Sequence, residues 1–431
     1  MAEPTHVDFD RHSPSHRADF VRITEDLHQR CPVAFNDTHN GHWFVSGYNE
    51  VFEIARRGGA LSSDNDVLGV RKGYQGVGVP AQLGFQVGFL EMDPPDQKEY
   101  RQALNAYLSP AAVERWRPMV QDLTSACLDE RIETGTIDFV DDLANVVPAV
   151  FTMAMMGLPL ADWVHFCEPS HATLYTPPHS PDIERVRQMS ADMFMRLVAA
   201  VGEVREQPRP GLIDALVTTP IGGQTPSDQE LAGVLYLLIG GGFDTTTSLT
   251  ANALDWLADH PTEREQLRVG DSHLLDTATE EFLRFFTPAP GDGRTVAEDC
   301  VLGGQELHEG DRLWLSWAMA NRDPAVFPDP NTVHIDRKMN RHTSFGLGVH
   351  RCIGSNVARL TFKTMIRHVL DRMPDFDCDA AGTVYYESVA VINGVQHLPA
   401  RFSPGPRLGA GVNDTIDRWQ ATIDDQRLAE R

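Results

Sequence analysis

The chain has 431 residues, and 42% of them are hydrophobic, which is enough to bury a large core. Its 37 Lys and Arg residues stand against 61 Asp and Glu residues, so the formal net charge of −24 argues against nucleic acid or an anionic membrane as a general partner. The six cysteines are scattered without a C-x-x-C pair, which suits a reduced cytoplasmic chain and argues against a disulfide framework or a zinc ribbon.

The N-terminal part of the chain combines short apolar segments with a glycine-rich stretch. Residues 1–29 are polar, lack an apolar signal core, and predict an irregular arm that leads into a first helix. Two apolar segments of strand length, 31–35 and 42–46, predict a hairpin that turns at Gly41. The stretch 58–88 contains eight glycines and no clear periodicity, which is typical of a functional loop, a disordered segment or a plain surface loop.

A helix start is predicted after the glycine-rich stretch. Asp93 is a good N-cap residue, and the two prolines and the acids that follow it suit a first helical turn. Gln97 and Arg101 lie four residues apart and therefore share a helical face, although a solvated arginine is the ordinary alternative. Residues 110–220 predict several amphipathic helices separated by prolines, without a catalytic constellation.

Residues 226–247 predict one long buried helix. Ser227 is a capping residue, the first turn is acidic, and the run that follows is apolar on every side but too short to span a bilayer. Three glycines, 240–242, then interrupt the pattern, at about 1 kcal/mol each relative to alanine. Either a ligand approaches here and the Thr245 hydroxyl takes over a freed backbone bond at a kink, or the glycines allow tight helix packing with Asp244 ion-paired. An acid buried beside a threonine can also relay protons.

Glu281 and Arg284 stand three residues apart on one face of a predicted helix. Such a pair on a protein surface contributes little, so the spacing alone is a weak signal. The next segment, from Pro288 to Arg294, is too rich in proline and glycine to be helical. Patterns typical of strands and turns follow it.

Residues 345–354, Phe-Gly-Leu-Gly-Val-His-Arg-Cys-Ile-Gly, place Cys352 in a loop of small residues before a helix that begins near Ser355. The glycines at 346, 348 and 354 permit a positive φ and close approach of a bulky planar group. The N–H groups and the dipole of the following helix favour the thiolate form of the sulfur. A thiolate that faces a flat buried group indicates haem ligation, whereas an inert cysteine in a tight turn is the alternative.

This loop resembles the haem-binding signature of the cytochromes P-450, Phe-x-x-Gly-x-His-x-Cys-x-Gly, with every fixed position filled. Two other segments resemble the same family in the expected order. Gly241-Gly242-Phe243-Asp244-Thr245 is similar to its oxygen-binding segment, and the pair at 281 and 284 is similar to its Glu-x-x-Arg motif. The resemblance covers roughly residues 30–405 and is nearest to the camphor-hydroxylase-like group.

The resemblance implies a mainly α-helical (α+β) fold with small β-sheets, in which haem lies between the long central helix and the cysteine-bearing loop. It implies a single catalytic domain over residues 30–405, preceded by an N-terminal arm, 1–29, and followed by a polar C-terminal tail, 406–431.

The resemblance also implies roles for individual residues. Cys352 would ligate the iron of haem b, Thr245 would hydrogen-bond dioxygen, and Asp244 would deliver protons. The haem propionates would contact four polar side chains: Arg101, Gln97, Arg294 and His342. The family usually carries histidine where this chain has Gln97, although camphor-hydroxylase-like members also carry glutamine there. The alternative for His342 is an exposed loop histidine that binds no ligand.

The resemblance implies further contacts with the cofactor, within the protein and with the substrate. Further cofactor contacts would come from small or aromatic residues of the loop and the central helix: Phe345, Gly346, Gly354 and Gly241. Glu281 and Arg284 would form a buried structural network with Arg337. The substrate pocket would include mostly apolar residues from four segments: Phe85, Val87, Leu237, Leu238, Pro288, Val391 and Ile392.

The implied activity is a monooxygenase that uses O2 and two electrons to hydroxylate or epoxidise an apolar terpenoid-, steroid- or fatty-acid-like molecule. Because the sequence shows no flavin, nicotinamide or iron–sulfur fingerprint, we expect electrons from a ferredoxin and its NAD(P)H-dependent reductase. The ferredoxin would dock on a basic patch around Lys98, Arg101 and Arg351. We expect a cytoplasmic monomer without membrane or nucleic-acid contact.

Two other functions are compatible with such a fold. One is a peroxide-driven enzyme, which would not need the acid–threonine pair that this chain carries. The other is a haem-binding sensor that binds a gas or ligand without turnover.

Overall fold

The computed structural model describes residues 4–57, 59–67, 70, 74–80, 86–176 and 180–429. The chain folds as two compact units, and each unit is assembled from three separate segments. The first unit comprises Met1–Glu99, Glu280–Cys352 and Glu387–Asn393. The second unit comprises Tyr100–Thr279, Ile353–Tyr386 and Gly394–Arg431.

Helices predominate among the described residues. The α-helices are α1 (Pro14–Arg30), α2 (Tyr48–Arg56), α3 (Asp96–Leu108), α4 (Pro110–Glu114), α5 (Arg117–Arg131), α6 (Val146–Met156), α7 (Trp163–Tyr175), α8 (Ile183–Glu206), α9 (Leu212–Thr218), α10 (Asp228–Asp259), α11 (Pro261–Val269), α12 (Ser272–Phe286), α13 (Trp317–Ala320), α14 (Ser355–Arg372) and α15 (Val412–Ala429). Short 3-10 helices lie at Gly88–Glu91, Leu160–Asp162 and Gly348–His350, and a π-helical turn lies at Val140–Ala144.

The strands are short. They are β1 (His6–Val7), β2 (Val33–Asn36), β3 (His42–Val45), β4 (Leu61–Ser62), β5 (Thr136–Asp138), β6 (Gly291–Val296), β7 (Cys300–Leu302), β8 (Gln305–Leu307), β9 (Arg312–Ser316), β10 (Asp377–Cys378), β11 (Val384–Tyr385), β12 (Val395–His397) and β13 (Pro399–Arg401). The predicted mainly α-helical fold with small sheets is confirmed.

A six-stranded sheet, in the order β1-β2-β3-β9-β6-β4, organises the first unit. The hairpin predicted near the N-terminus is confirmed, because β2 and β3 pair antiparallel and Gly41 in their turn has a φ of +82°. Apolar side chains of β3 and β9 pack with those of α2 into a core in which Val45, Ile54 and Leu315 are fully buried. This sheet and core support the segment that runs from β9 through α13 to the cysteine loop.

The 32-residue helix α10 lies at the centre of the second unit, where α6, α7, α8 and α14 all contact it. Ser227 forms a capping box with Glu230, as the predicted helix start requires. The helix continues through all three glycines at 240–242, so they interrupt the apolar pattern without ending the helix. Packing on several sides offsets the helix-weakening effect of glycine.

Both ends of the chain are more regular than their polar composition indicates. The expected irregular arm contains the 17-residue helix α1, which begins after Ser13, whose side chain accepts a hydrogen bond from the N–H of His16. The polar C-terminal segment contains α15, which packs against α5 through hydrogen bonds from Arg418 and Trp419 to Asp122. The division into arm, catalytic domain and tail stays a prediction. No helix among the described residues is long and apolar enough to cross a membrane.

We expect the first unit to lose stability in mild acid because it buries neutral histidines. Burial lowers the pKa of His16 and of His42 from the ordinary 6.5 to about 4, and the nearby charge of Arg11 acts in the same direction. The unfolded chain therefore binds more protons than the folded chain between these two values. The free energy of unfolding should be insensitive to these groups above pH 6.5 and should fall as the pH is lowered from 6.5 toward 4.

Urea unfolding at a series of pH values checks this expectation. A His16→Gln, His42→Gln variant should show a shallower pH dependence over the same interval, because neither side chain can then take up a proton. An identical slope in wild type and variant would show that these two histidines do not cause the acid sensitivity.

Candidate functional site

The cysteine loop, residues 345–354, is closed by a hydrogen bond of 2.7 Å from the N–H of Cys352 to the carbonyl oxygen of Phe345. Gly346 and Gly348 have φ values of +64° and +67°, which only glycine adopts readily. Gly354, in contrast, has an ordinary φ of −85°, so the expected need for a positive φ does not apply there. The side chain of Cys352 is exposed, whereas Cys31, Cys127 and Cys167 are buried. The loop therefore presents its sulfur rather than packing it into a core.

Gln97 supports this loop from α3. Its side chain is buried, and its Nε2 donates a hydrogen bond of 2.8 Å to the carbonyl oxygen of Val349. The predicted N-cap role of Asp93 is wrong, because α3 begins at Asp96. The Asp93 carboxylate instead accepts hydrogen bonds from the Ser62 hydroxyl and the Ser63 N–H.

Glu281 and Arg284 form a buried network, not a surface pair. Both side chains have 0% exposure, and the guanidinium of Arg284 donates to the two carboxylate oxygens over 2.8 Å each. Arg337 adds a third bond of 2.8 Å to the carboxylate. Burial acts to raise the pKa of Glu281, but the hydrogen bond and charge of Arg284, with contributions from His334 and Arg337, outweigh it and lower the pKa. Arg284 also donates to carbonyl oxygens of Asn321, Pro330 and Thr332.

Asn321 completes the link to the cysteine loop, and sequence reasoning missed it. Its buried side chain donates to the hydroxyls of Thr287 and Ser344 and accepts from the N–H of Thr343. These bonds join the segment after α12 to the residues just before the loop. No motif marks Asn321 as part of the site.

Arg294 and His342 differ in how many polar partners the protein gives them. Arg294 is buried on β6, and burial lowers its pKa. Among the described residues its guanidinium donates to one acceptor, the carbonyl oxygen of Gly293, so it has donor capacity left for an anion. His342 already has two protein partners: its Nε2 lies 3.0 Å from a carboxylate oxygen of Glu280, and its Nδ1 accepts from the N–H of Ser344.

Some of the predicted pocket residues of the first unit come together. Pro288 and Ile392 are buried, and Asn393 bonds through its N–H to the carbonyl oxygen of Pro288 and through its side chain to that of Phe286. Val391, next to Ile392, is 36% exposed. Val87 is held by a hydrogen bond of 2.9 Å from its N–H to the buried carboxylate of Glu91. The predicted pocket residue Phe85 lies outside the described residues.

The glycines of α10, in the second unit, serve two purposes. A Cβ added at Gly240 or Gly241 would meet nothing within 4 Å, whereas a Cβ at Gly242 would lie 2.8 Å from the hydroxyl of Thr152. Gly242 therefore permits tight packing, and the other two face open space. The hydroxyl of Thr245 donates to the carbonyl oxygen of Gly241 over 2.8 Å without breaking the helix. Leu237 and Leu238, one turn earlier, are half-buried.

Asp244 is buried and paired on α10. Its carboxylate accepts a hydrogen bond of 2.6 Å from the Ser170 hydroxyl and forms an ion pair with Nδ1 of His171, both on α7. Burial acts to lower the pKa of His171, but the charge of Asp244 outweighs it and raises the pKa well above its ordinary value. Sequence reasoning missed both partners because they lie more than 70 residues from Asp244 in the chain and carry no motif.

Arg101, elsewhere in this unit, is half-buried on α3.

The residues present in the first unit fit a haem. The loop offers an exposed thiol donor, and Arg294 offers a buried cation with donor capacity. A thiolate ligand for the iron and a cation for a propionate carboxylate are what an iron porphyrin requires of the protein.

A pair of glycine substitutions separates the two kinds of glycine. Gly348→Ala should destabilise the loop, because its φ is positive and the new Cβ would overlap the carbonyl oxygen of Ala55. Gly240→Ala, where a Cβ meets nothing within 4 Å, should raise the free energy of unfolding by up to about 1 kcal/mol. Urea unfolding of both variants, with haem content measured beside it, checks the expectation. A harmless Gly348→Ala would show that the loop does not need this backbone conformation.

Comparison with known proteins agrees with the site. The family model described as Cytochrome P-450 matches residues 160–374. A vitamin D3 dihydroxylase from Streptomyces griseolus is 30% identical over 288 residues, which cover 66% of this chain and 70% of that protein. The 6-deoxyerythronolide B hydroxylase of Saccharopolyspora erythraea is 29% identical over 407 residues, 91% of this chain and 98% of that protein.

Solved structures show the same likeness. The crystal structure of CYP109E1 from Bacillus megaterium in complex with testosterone is similar with a TM-score of 0.79 and 27% sequence identity. The match covers 90% of this chain and 99% of that chain.

Proposed function

Because this chain belongs to the cytochrome P-450 family, we propose that it hydroxylates or epoxidises a terpenoid-, steroid- or fatty-acid-like molecule. Membership makes it a monooxygenase with haem b, ligated by a cysteine thiolate, and with O2 as co-substrate. The bound haem supplies the activation of O2, one atom of which enters an apolar substrate while the other leaves as water. The placement near the camphor-hydroxylase-like group stays a prediction.

The observation that carries the proposal is the exposed Cys352 in a loop that hydrogen bonds close and support. Cys352 is exposed, whereas the other five cysteines are buried or half-buried. Gln97 and the Glu281 network hold the segments around it through hydrogen bonds. We assign the iron-ligating role to Cys352. Arg294 would bind a propionate with its remaining donors, and Arg101 would bind another, while His342 could do so only by giving up Glu280.

We assign the handling of dioxygen and protons to Thr245 and Asp244. The Thr245 hydroxyl bonds the carbonyl of Gly241, the residue beside which a Cβ would find open space, so a small rotation would let it donate to a ligand there. Asp244 precedes it on the same helix and holds its carboxylate in a buried network with Ser170 and His171. A positioned acid of this kind contributes to catalysis by delivering protons at a fixed site.

The proposed substrate class follows from the side chains assigned to the pocket. Val87, Leu237, Leu238, Pro288, Val391 and Ile392 are all apolar. None of them carries a charge that would bind a polar head group, and apolar walls favour a hydrocarbon-rich ligand. The named relatives support this choice, since one is a vitamin D3 dihydroxylase and one is solved with testosterone.

A ferredoxin with its NAD(P)H-dependent reductase is the proposed electron source, and the proposed docking patch contains Lys98, Arg101 and Arg351. Lys98 and Arg351 are exposed and Arg101 is half-buried, on a chain whose formal net charge is −24. A local basic patch would attract an acidic partner at close range despite the net charge. We propose that the protein works as a cytoplasmic monomer.

We expect Arg101→Glu to slow reduction of the haem by the ferredoxin at low salt, and the difference from wild type should shrink as salt screens the charges. Stopped-flow reduction kinetics measure this. Arg185→Glu, at an exposed arginine on α8, is the control for an equal change in net charge. An unchanged rate in Arg101→Glu with intact haem would contradict the proposed patch.

The proposed function is tested by reconstitution with a ferredoxin, its reductase and NADPH. Steroids, terpenoids and fatty acids are screened for a substrate-induced spin-state shift, and those that bind are incubated with isotopically labelled O2. One labelled oxygen atom in the product supports the proposal. Product formed from hydrogen peroxide but not from NADPH would favour the peroxide-driven enzyme, and binding without any product would favour the sensor.

A further inference from the structure

A cavity of about 340 Å³ lies in the second unit beside the buried acid network. Its walls come from α7, from the π-helical turn, from Tyr386 and from β12. Buried polar side chains line it: Cys167, His171 and Tyr386. The exposed residues Asp141 and Glu168 also line the cavity and mark its opening to solvent.

His171 connects this cavity with Asp244. Its Nδ1 pairs with the Asp244 carboxylate, and the ring lines the cavity. Its Nε2 is buried and has no hydrogen-bond partner among the described residues. A buried N–H without a partner is costly, and a polar cavity of this size has room for several waters of about 30 Å³ each. A water in the cavity would supply the missing partner.

We propose that His171 is a positioning residue that holds the Asp244 carboxylate and links it to water in the cavity, so that protons from solvent reach Asp244 through the imidazole. This inference rests on the proposed function, in which Asp244 delivers protons. Transfer of the Nδ1 proton to the carboxylate leaves a neutral imidazole that keeps its Nε2 proton. The ring then turns about its Cβ–Cγ bond, so that the deprotonated nitrogen takes a proton from a cavity water and the protonated nitrogen faces Asp244. Solvent returns a proton to the water, and the imidazolium is thereby restored after each transfer.

The buried groups that face His171 beside Asp244 are neutral, so Asp244 carries the negative charge that pairs with the imidazolium. Cys167, on the same helix, stays a neutral thiol because burial raises its pKa. Tyr386, across the cavity, stays neutral because burial and then the charge of Asp244 raise its pKa well above the ordinary value. Asp141, Glu168 and His397 also face the cavity, together with Tyr175.

The ionisation of His171 is measured first, because this readout does not depend on turnover. In the substrate-free holoprotein labelled with carbon-13 histidine, the signal lost in His171→Phe identifies the ring. It should stay protonated while exposed histidines titrate, and Asp244→Asn should shift its titration to lower pH. A His171 that titrates like an exposed histidine in wild type would overturn the inference. If His171→Phe folds poorly, the signal whose titration shifts in Asp244→Asn identifies the ring instead.

Proton supply is measured next. The two readouts are the amount of oxygenated product formed per NADPH consumed, here called the converted fraction, and the solvent isotope effect on NADPH consumption. His171→Phe should lower the converted fraction about tenfold and raise the isotope effect, while substrate binding stays unchanged. His165→Phe, at an exposed histidine on the same helix, is the matched control and should behave like wild type.

Two substitutions distinguish the proposed role of Asp244 from the inferred role of His171. If Asp244→Asn lowers the converted fraction but His171→Phe does not, the inference is wrong and the proposed role of Asp244 stands. If neither substitution has an effect, the proposed role of Asp244 is wrong and the inference fails with it.

Discussion

Replacing Glu281 with glutamine is expected to remove about 3–5 kcal/mol from the free energy of unfolding, because two guanidinium groups then lose their shared carboxylate. Arg284 is fully buried, so its charge would remain in a medium of low polarity without a counter-ion. Its bonds to the carbonyl oxygens of Asn321 and Pro330 would persist but cannot neutralise it. Since Arg337 bonds the same carboxylate, the segment leading to the cysteine loop should also loosen.

Urea unfolding and haem content measure the two consequences separately. Glu265→Gln is the matched control, because Glu265 and Arg268 have the same spacing and the same two-bond geometry but are largely exposed. An exposed pair is screened by water, so its loss should change stability far less. Similar losses in the two variants would show that burial does not give the Glu281 network its special weight.

Thr245→Val is expected to leave folding and haem binding intact. It should lower the amount of product formed per NADPH consumed by about 10- to 100-fold. Valine has nearly the volume of threonine but no hydroxyl, so the bond to the Gly241 carbonyl and any bond to dioxygen are lost together. NADPH should still be consumed, because reduction does not need this hydroxyl. The electrons would then appear in hydrogen peroxide or water, which is measured beside the product.

Thr245→Ser is the matched control, because it keeps the hydroxyl and removes only a methyl group. It should retain most of the product yield of wild type. Equal yields in the valine and serine variants would contradict the role assigned to the hydroxyl.

Local chemistry made much of the fold and site predictable from the sequence. The capping box at Ser227, the Gly41 turn and the positive φ of Gly346 all follow from preferences of single residue types. The spacing of Glu281 and Arg284 likewise placed them on one helical face. What the sequence could not show was that this pair is fully buried, because burial depends on the segments that later pack around it.

Other features depend on contacts between distant parts of the chain. The three glycines of α10 interrupt its apolar pattern, but packing against four helices keeps α10 continuous. Asp93 had the local signature of an N-cap, yet Ser62 and Ser63 engage its carboxylate. His171 and Asn321 carry no motif and gain their importance from the side chains that the fold brings to them.

Ligation of the haem iron by Cys352 as a thiolate is measured by the carbon monoxide difference spectrum of the dithionite-reduced protein. We expect a Soret band at about 450 nm, the position typical of thiolate ligation in this family, and its loss in Cys352→Ala but not in Cys300→Ala. A band typical of histidine ligation in the wild-type protein, or a band that survives in Cys352→Ala, would contradict it.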